Sequence, residues 1–507
     1  MLSSWSELAG LRVGVWGLGV EGQANLRRLA VLGVQPVVVD DRPGAGVVAT
    51  AEGGLELLLG CDVVVKTPGL SRYRADVLQV QAAGIPVRGG LGLWLEDVDR
   101  DRVLAVTGTK GKSTTTSIVG GLLRGLGHRV LTGGNLGVPP WDPEVEQDVD
   151  WWVVETSSYQ ATDVTTGPPV VVVTSLSQDH LDWHGGPDRY YRDKLSLCTR
   201  PGVRTVIADG GSALLRSYAP LLGPVSWVEG EPGAWVRGLG LLGAHNVRNA
   251  QLAQAALQAL GVDGADDDER LAAACSGFTP LASRLHLIGH VDGVAYVDDS
   301  LSTNVLPTLA AVAAFPGRRV ALLVGGFDRG IDYAPLAEGL AGRDDLLVLT
   351  LPDNGSAIGA GLRRSGVDVV AEDRTVFVVT INERLGVQAD RPGDNDQSWD
   401  VFFGDVAPRG MPFLYDLADG RVVLILDGST GTGDPIYLLA DGETEQVPSP
   451  GTVVYVAPDG RFVVRGPDGS DSLIDPNPDT SSRPTATTTI EANAGSQPSR
   501  PLVAVDA

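Results

Sequence analysis

The run Val103-Leu104-Ala105-Val106 leads directly into Thr107-Gly108-Thr109-Lys110-Gly111-Lys112-Ser113-Thr114. An apolar strand, a glycine-rich loop and a helix start, in that order, form a phosphate cradle at the carboxyl edge of a parallel sheet. Backbone amides of such a loop wrap phosphate oxygens, the Lys112 ammonium reaches the outer ones, and the Ser113 hydroxyl can join a Mg²⁺ shell. The loop departs from the eight-residue form of the motif, because Val106 stands where its first glycine would be. Nucleotide, with ATP foremost, is the ligand expected there. Parallel strands need crossover connections, so the surrounding chain should alternate strands with helices.

That alternation runs through most of the sequence. Residues 11 to 16 read as a buried strand, followed by Gly17-Leu18-Gly19-Val20-Glu21-Gly22, a helical stretch to about Leu32, and the strand Pro36 to Asp40. A further strand, Asp62 to Val65, ends at the turn Thr67-Pro68-Gly69. After the phosphate loop come Trp152 to Glu155, Val170 to Val173, and a helix from about Asn246 to Leu260. A third α/β segment starts near Arg284, with strands at Val294–Val297, Val320–Val324 and Leu346–Leu349. The pattern predicts parallel sheets throughout. From about residue 373 helical periodicity fades into short β-prone runs such as Arg421 to Leu426. Residues 468 to 500, rich in Ser, Thr, Pro and Asp, are expected to be disordered. No catalytic constellation is visible in this tail.

Composition narrows the function. Only four of the 39 basic residues are lysines: Lys66, Lys110, Lys112 and Lys194. Arginine serves wherever a plain positive charge suffices, but guanidinium cannot replace a compact ammonium between phosphates, nor readily give up a proton to react with carbon dioxide. Lys110 and Lys112 lie in the phosphate loop, and Lys194 lies fourteen residues beyond His180. Lys66, in Val65-Lys66-Thr67-Pro68, is expected to be a surface charge. A net charge of −24 argues against a general nucleic-acid binder. No apolar run approaches the ~20 residues needed to span a bilayer. The start, Met1 to Trp5, lacks the pattern of a signal peptide. Cys61, Cys198 and Cys275 are far apart and odd in number, so they read as reduced, buried thiols of a cytoplasmic protein.

Three more segments offer chemistry. Gly17 to Gly22 matches the dinucleotide fingerprint, with Asp40 eighteen residues past Gly22 at a strand end. It reports a diphosphate near a helix start, or only a tight turn, and does not itself specify nicotinamide. Glu155 ends an apolar strand just before Thr156-Ser157-Ser158-Tyr159-Gln160, where a carboxylate faces the ligand crevice and can hold Mg²⁺. Asp179-His180-Leu181-Asp182-Trp183-His184 gathers ligands within six residues, whereas His128, His286 and His290 are left as structural. No Cys/His spacing resembles a closed zinc site.

In chain order, Gly108 to Thr114, Glu155 to Gln160, Asp179 to His184, Lys194, Gly243-Ala244-His245-Asn246-Val247-Arg248-Asn249, Arg284 and Asp298 to Asn304 together resemble the Mur ligase family of peptidoglycan precursor synthesis. The resemblance spans about residues 8 to 372. It implies a three-domain α/β architecture: a Rossmann-like UDP-binding domain over 1–95, a central P-loop domain over 96–283 and a Rossmann-like ligase domain over 284–372. Residues 373–507 would be a non-family tail. Asp40-Asp41-Arg42 looks like the glutamate-adding branch, whose substrates are UDP-N-acetylmuramoyl-L-alanine and glutamate.

Carried over by motif, the resemblance assigns Gly108, Thr109, Lys110, Gly111, Lys112, Ser113 and Thr114 to ATP phosphates and Mg²⁺. Asn249, Arg284 and Asp299 would grip the nucleotide. Ser113, Glu155, His180 and Lys194 would serve the metal, with Lys194 carbamylated, and Lys112, Lys194 and His180 would be the catalytic group. Asp40, Arg42, Thr67 and Gly69 would surround uracil, Asn135, Ser157 and Gln160 the muramoyl-alanine portion, and Arg329 the incoming glutamate. A cytoplasmic monomer is implied.

The sequence departs from the family at Leu301, Ser283 and Arg329, and no late Ser-Pro-Ala-type loop follows residue 372. The amino-acid subsite is therefore altered or incomplete. Thr109-Lys110, Glu155 to Tyr159 and Ser175-Leu176-Ser177 look more like the subgroup adding L-glutamate. A D-glutamate-adding ligase, a nucleotide-binding protein without chemistry and a nicotinamide oxidoreductase stay open as alternatives.

Overall fold

The computed structural model describes residues 4–370 except 43, 45, 136, 292–293, 303 and 327–330, and beyond them only short strands between 375 and 503. The chain divides into two compact units, residues 1–282 and 283–507.

In the first unit, β1 (Val13–Trp16), β2 (Val37–Asp40), β3 (Val48–Ala49), β4 (Val63–Lys66) and β5 (Val87–Gly89) form a parallel sheet in the order β3-β2-β1-β4-β5. A second parallel sheet contains β6 (Val103–Thr107), β7 (Val130–Gly134), β8 (Trp151–Glu155), β9 (Val170–Val173), β10 (Thr205–Asp209) and β11 (Val225–Val228), ordered β11-β10-β9-β6-β8-β7. β1, β4, β6 and β9 are buried along their whole length. Both faces of these strands are covered, which is why they are near-continuous, valine-rich apolar runs rather than alternating sequences. The helix Val20–Val31 follows β1, the helix Lys112–Gly125 follows the phosphate loop, and the helix Ala244–Ala259 packs against the latter. A continuous core joins the two sheets, with Trp94 meeting Trp152 edge to face at 5.2 Å.

The second unit opens on β12 (His286–Val291) and β13 (Val294–Asp298), an antiparallel hairpin. This corrects the expectation of parallel sheets throughout. Strands separated by two residues have no room for a crossover and must return antiparallel. β14 (Val320–Gly326), β15 (Leu346–Asp353) and β16 (Val369–Val370) do form a parallel sheet. Farther on, Pro412–Asp416, Val422–Leu426, Ile436–Ala440 and Glu443–Val447 are paired antiparallel, in keeping with the β-prone reading. The strand Asp471–Ile474 pairs with Phe462–Arg465 and so corrects the expectation of disorder at those four positions. The rest of 468–500 lies outside the described residues.

All three cysteines are free and buried, as expected. No helix among the described residues is long and apolar enough to cross a membrane.

Candidate active site

The phosphate loop joins β6 to the helix Lys112–Gly125. Gly108 has φ 133°, and a Cβ there would sit 2.2 Å from Thr174 Oγ1, so only glycine fits. Gly111 has φ 87°, and a Cβ there would lie 2.6 Å from Asn249 Oδ1. Asn249 thus lies close against the loop, and its amide donates to Asn246 Oδ1 at 3.0 Å. Ser175 anchors the loop: its carbonyl accepts from Thr109 N at 2.9 Å and its hydroxyl from Lys110 N at 2.8 Å. Thr109 Oγ1 lies 2.9 Å from the Tyr190 hydroxyl, and Thr114 is buried in the helix.

Strand register brings the carboxylate to the loop. Glu155 pairs with Val106 on one side and Gly134 on the other. The Ser113 hydroxyl donates to Glu155 Oε2 at 2.7 Å, and Asn135 Nδ2 donates to Oε1 at 2.7 Å. A hydroxyl beside a buried carboxylate, at the start of a helix after a phosphate loop, is the hard-oxygen donor pair that suits Mg²⁺.

Lys194, on the helix Pro187–Leu195, is buried and donates to the Gly108 carbonyl at 2.9 Å. Burial, and next the Lys112 ammonium, hold its amine well below the usual lysine range. The neutral amine is the form that can attack carbon dioxide. Lys112 Nζ donates to the Thr109 carbonyl at 3.1 Å, and Lys110 Nζ lies 3.2 Å from Asp179 Oδ2. Burial opposes ionisation of Asp179, but Lys110, His180 and Lys112 outweigh it and keep its carboxyl low. His180 is exposed, has left-handed backbone with φ 51°, and meets the Tyr159 ring at 5.1 Å. Burial of part of its ring, with the Lys194, Lys110 and Lys112 charges, lowers its pKa against the pull of Asp179.

The carboxyl edge of the first sheet carries the second group. Asp40 accepts from Leu18 N at 2.7 Å and from Arg42 N at 2.8 Å, closing the glycine turn. Thr67 packs so tightly on Gly17 that a Cβ there would lie 2.2 Å from its hydroxyl. Arg42 and Gly69 are exposed. Ser157 and Gln160 cap the helix Ser158–Ala161 reciprocally, and Gln160 Nε2 donates to Glu21 Oε1 at 2.6 Å.

Arg284 and Asp299 belong to the second unit. There Asp299 accepts from Leu285 N at 2.8 Å and from the Ser302 hydroxyl at 2.5 Å, while Arg284 donates to the Leu301 carbonyl at 3.4 Å. Arg329 lies outside the described residues. The first unit therefore gathers Gly108 to Thr114, Glu155, Lys194 and Asn249 around one loop.

Lys66 is not a surface charge. It is 1% exposed, and its ammonium lies 2.5 Å from Asp163 Oδ2. The strand Val63-Val64-Val65 was the available signal, since its last residue continues into the same buried layer. Glu21, Tyr73, Trp183, His184 and Asp193 also line the seam between the two sheets; Glu21, Trp183 and His184 lie inside motifs read from the sequence, whereas Tyr73 and Asp193 have no sequence pattern of their own.

Residues 106–210 match the Mur ligase middle domain. The chain is 39% identical over 400 residues to the UDP-N-acetylmuramoyl-L-alanine–L-glutamate ligase of a Micromonospora species, covering 72% of this chain and 87% of that protein. It is 39% identical over 391 residues to the protein of the same name from Xanthomonas axonopodis pv. citri, covering 70% and 82%. Among solved structures, the UDP-N-acetylmuramate–alanine ligase of Thermotoga maritima is 18% identical, with 71% and 90% covered and a TM-score of 0.46. The chain belongs to the Mur ligase family of ATP-dependent peptide ligases.

Proposed function

We propose that this chain joins L-glutamate to UDP-N-acetylmuramoyl-L-alanine, with ATP driving the reaction through an acyl phosphate. The observation that carries the reading is the 39% identity to relatives bearing that activity in their names, over 87% of the length of one of them. The site's chemistry agrees with it. ATP transfers its terminal phosphoryl group to the alanyl carboxylate, releasing ADP. The glutamate amine then attacks the acyl carbon, loses a proton, and phosphate leaves. Charge develops on phosphoryl and carbonyl oxygens, so fixed cations near the loop are the groups such a reaction needs.

In this reading the loop amides and Lys112 hold and neutralise the phosphates, with Asn249 fixing the loop from behind. Ser113 and Glu155 would hold Mg²⁺ on the nucleotide, and His180 with Lys194 would hold a second ion. Bound there, Mg²⁺ supplies charge neutralisation on the transferring phosphoryl group. Lys194 would act as a carbamate: its neutral amine bonds to the carbon of CO₂, loses a proton and becomes an anion. Asp40, Arg42, Thr67 and Gly69 would receive the uracil, and Asn135, Ser157 and Gln160 would face the muramoyl-alanine portion. Arg284 and Asp299 would grip the nucleotide, and Arg329 would take the glutamate carboxylate. The reaction would be cytoplasmic, carried out by a monomer of a ligase domain, a central domain and a UDP-binding domain.

The direct assay is ADP release. It should require UDP-N-acetylmuramoyl-L-alanine and glutamate together. Folded protein that releases no ADP with either glutamate enantiomer would refute the proposal.

A further inference from the structure

A chain of hydrogen bonds crosses the seam between the first two sheets without touching the phosphate loop. The Tyr73 hydroxyl, four residues past Gly69, donates to Asp193 at 2.7 Å to Oδ1 and 2.8 Å to Oδ2. Asp193 Oδ2 lies 2.7 Å from His184 Nδ1, and His184 Nε2 lies 3.0 Å from Ser158 Oγ. A carboxylate only accepts, so His184 Nδ1 donates to Asp193, while Nε2 shares its hydrogen bond with the Ser158 hydroxyl. A second link runs beside it. Trp183 Nε1 donates to the carbonyls of Pro68 and Gly69 at 3.2 Å each, and the Ser71 hydroxyl donates to the Trp183 carbonyl at 2.9 Å. The Trp183 ring stacks on Tyr159 at 4.5 Å, and Tyr159 in turn meets His180.

Ser158, His184 and Asp193 have the connectivity of a hydrolase triad. They cannot act as one, because His184 is fully buried and Ser158 is 2% exposed, leaving no path for a carbonyl substrate to that hydroxyl. Their neighbours give the chain its meaning. Ser158 follows Ser157, Asp193 precedes Lys194, His184 closes the segment that contains His180, and Tyr73 follows the Thr67 to Gly69 turn.

We infer that Tyr73, Asp193 and His184 are positioning residues, forming a strut that holds the uridine-side turn of the first sheet at a fixed offset from Lys194 and His180. The inference rests on the ligase reading above. A nucleotide-sugar anchored at one end must present its alanyl carboxylate to the phosphoryl group at the other. A misplacement of about 1 Å between reacting groups can cost on the order of a hundredfold in rate. The strut touches no substrate, so removing it should lower kcat while leaving the anchor's affinity intact.

The test compares Tyr73→Phe and His184→Gln, alone and together, with the wild-type chain. Each is assayed for turnover at saturating substrates and for UDP-N-acetylmuramoyl-L-alanine affinity by calorimetry. Tyr73→Phe removes one hydroxyl from a partly exposed ring and decides the matter if His184→Gln folds poorly. The strut predicts a fall in kcat of about tenfold for Tyr73→Phe, with Kd within about twofold. The double variant should be no slower than the worse single one, because both act through Asp193. Unchanged kcat per folded molecule in Tyr73→Phe, even with a lower Tm, would overturn the inference, as would a loss confined to Kd. Wild-type protein that fails to turn over defeats the ligase reading and the strut with it; an active wild type with an unaltered Tyr73→Phe defeats the strut alone.

Discussion

Lys66 Nζ lies 2.5 Å from Asp163 Oδ2, with side chains 0% and 6% exposed. Lys66 ends β4 of the first sheet, and Asp163 lies two residues past the helix Ser158–Ala161 that follows β8 of the second. A buried pair of this kind adds little net stability over apolar replacements, but removing one partner strands a charge. Lys66→Met is therefore expected to lower stability by about 3–5 kcal/mol. Lys66→Met combined with Asp163→Leu should recover most of that loss. Urea denaturation of both variants checks the prediction; equal losses in the two would contradict it.

Glu21 makes the same seam sensitive to pH. Burial pushes its carboxyl from 4.5 up to about 7, against the Gln160 hydrogen bond and the Lys66 charge. The folded state thus binds a proton that the unfolded state has released between pH 4.5 and about 7. Stability supplied by this group is full below 4.5 and declines until about 7, then stays level. The shift corresponds to about 3 kcal/mol. Glu21→Gln should remove this contribution to the slope, so that the variant gains on the wild type as pH rises from 5 to 7.5. Parallel stability profiles for the two proteins would show that Glu21 does not titrate in that window.

Lys194→Ala should lose on the order of a hundredfold in turnover. If the lysine works as a carbamate, a short-chain carboxylate filling the vacated space should restore part of the activity. Assays with and without added acetate or formate distinguish this from a structural role, which predicts no rescue. Full activity in the unsupplemented variant would remove Lys194 from the mechanism.

The alternating strands and the phosphate loop were legible because both follow from local pattern. Runs such as Val170 to Val173 have one fate in a covered parallel sheet, and Gly108 and Gly111 mark places where a Cβ would collide. Glu155 could be put at a sheet edge from its position after Val154 alone. The seam was not legible. Lys66 and Asp163 are 97 residues apart, Tyr73 and Asp193 are 120 apart, and each has an ordinary local context. Only folding brings them together, so an isolated lysine after three valines reads from sequence as a surface charge. The hairpin β12–β13 is not legible in the sequence, because a strand beginning at His286 lacks the valine-rich signal of its partner.

Glutamate's handedness separates the L-glutamate ligase from its D-glutamate counterpart. Both enantiomers carry the same amine and carboxylates, so only the positions of the groups that clamp them can discriminate. An arginine such as Arg329 can fix the plane of a carboxylate through two parallel hydrogen bonds, which a lysine cannot. The measurement is the rate of product formation from UDP-N-acetylmuramoyl-L-alanine and ATP with pure L-glutamate or pure D-glutamate at equal concentration. Turnover is expected to be faster with L-glutamate; faster turnover with D-glutamate would contradict the assignment of this chain as an L-glutamate ligase.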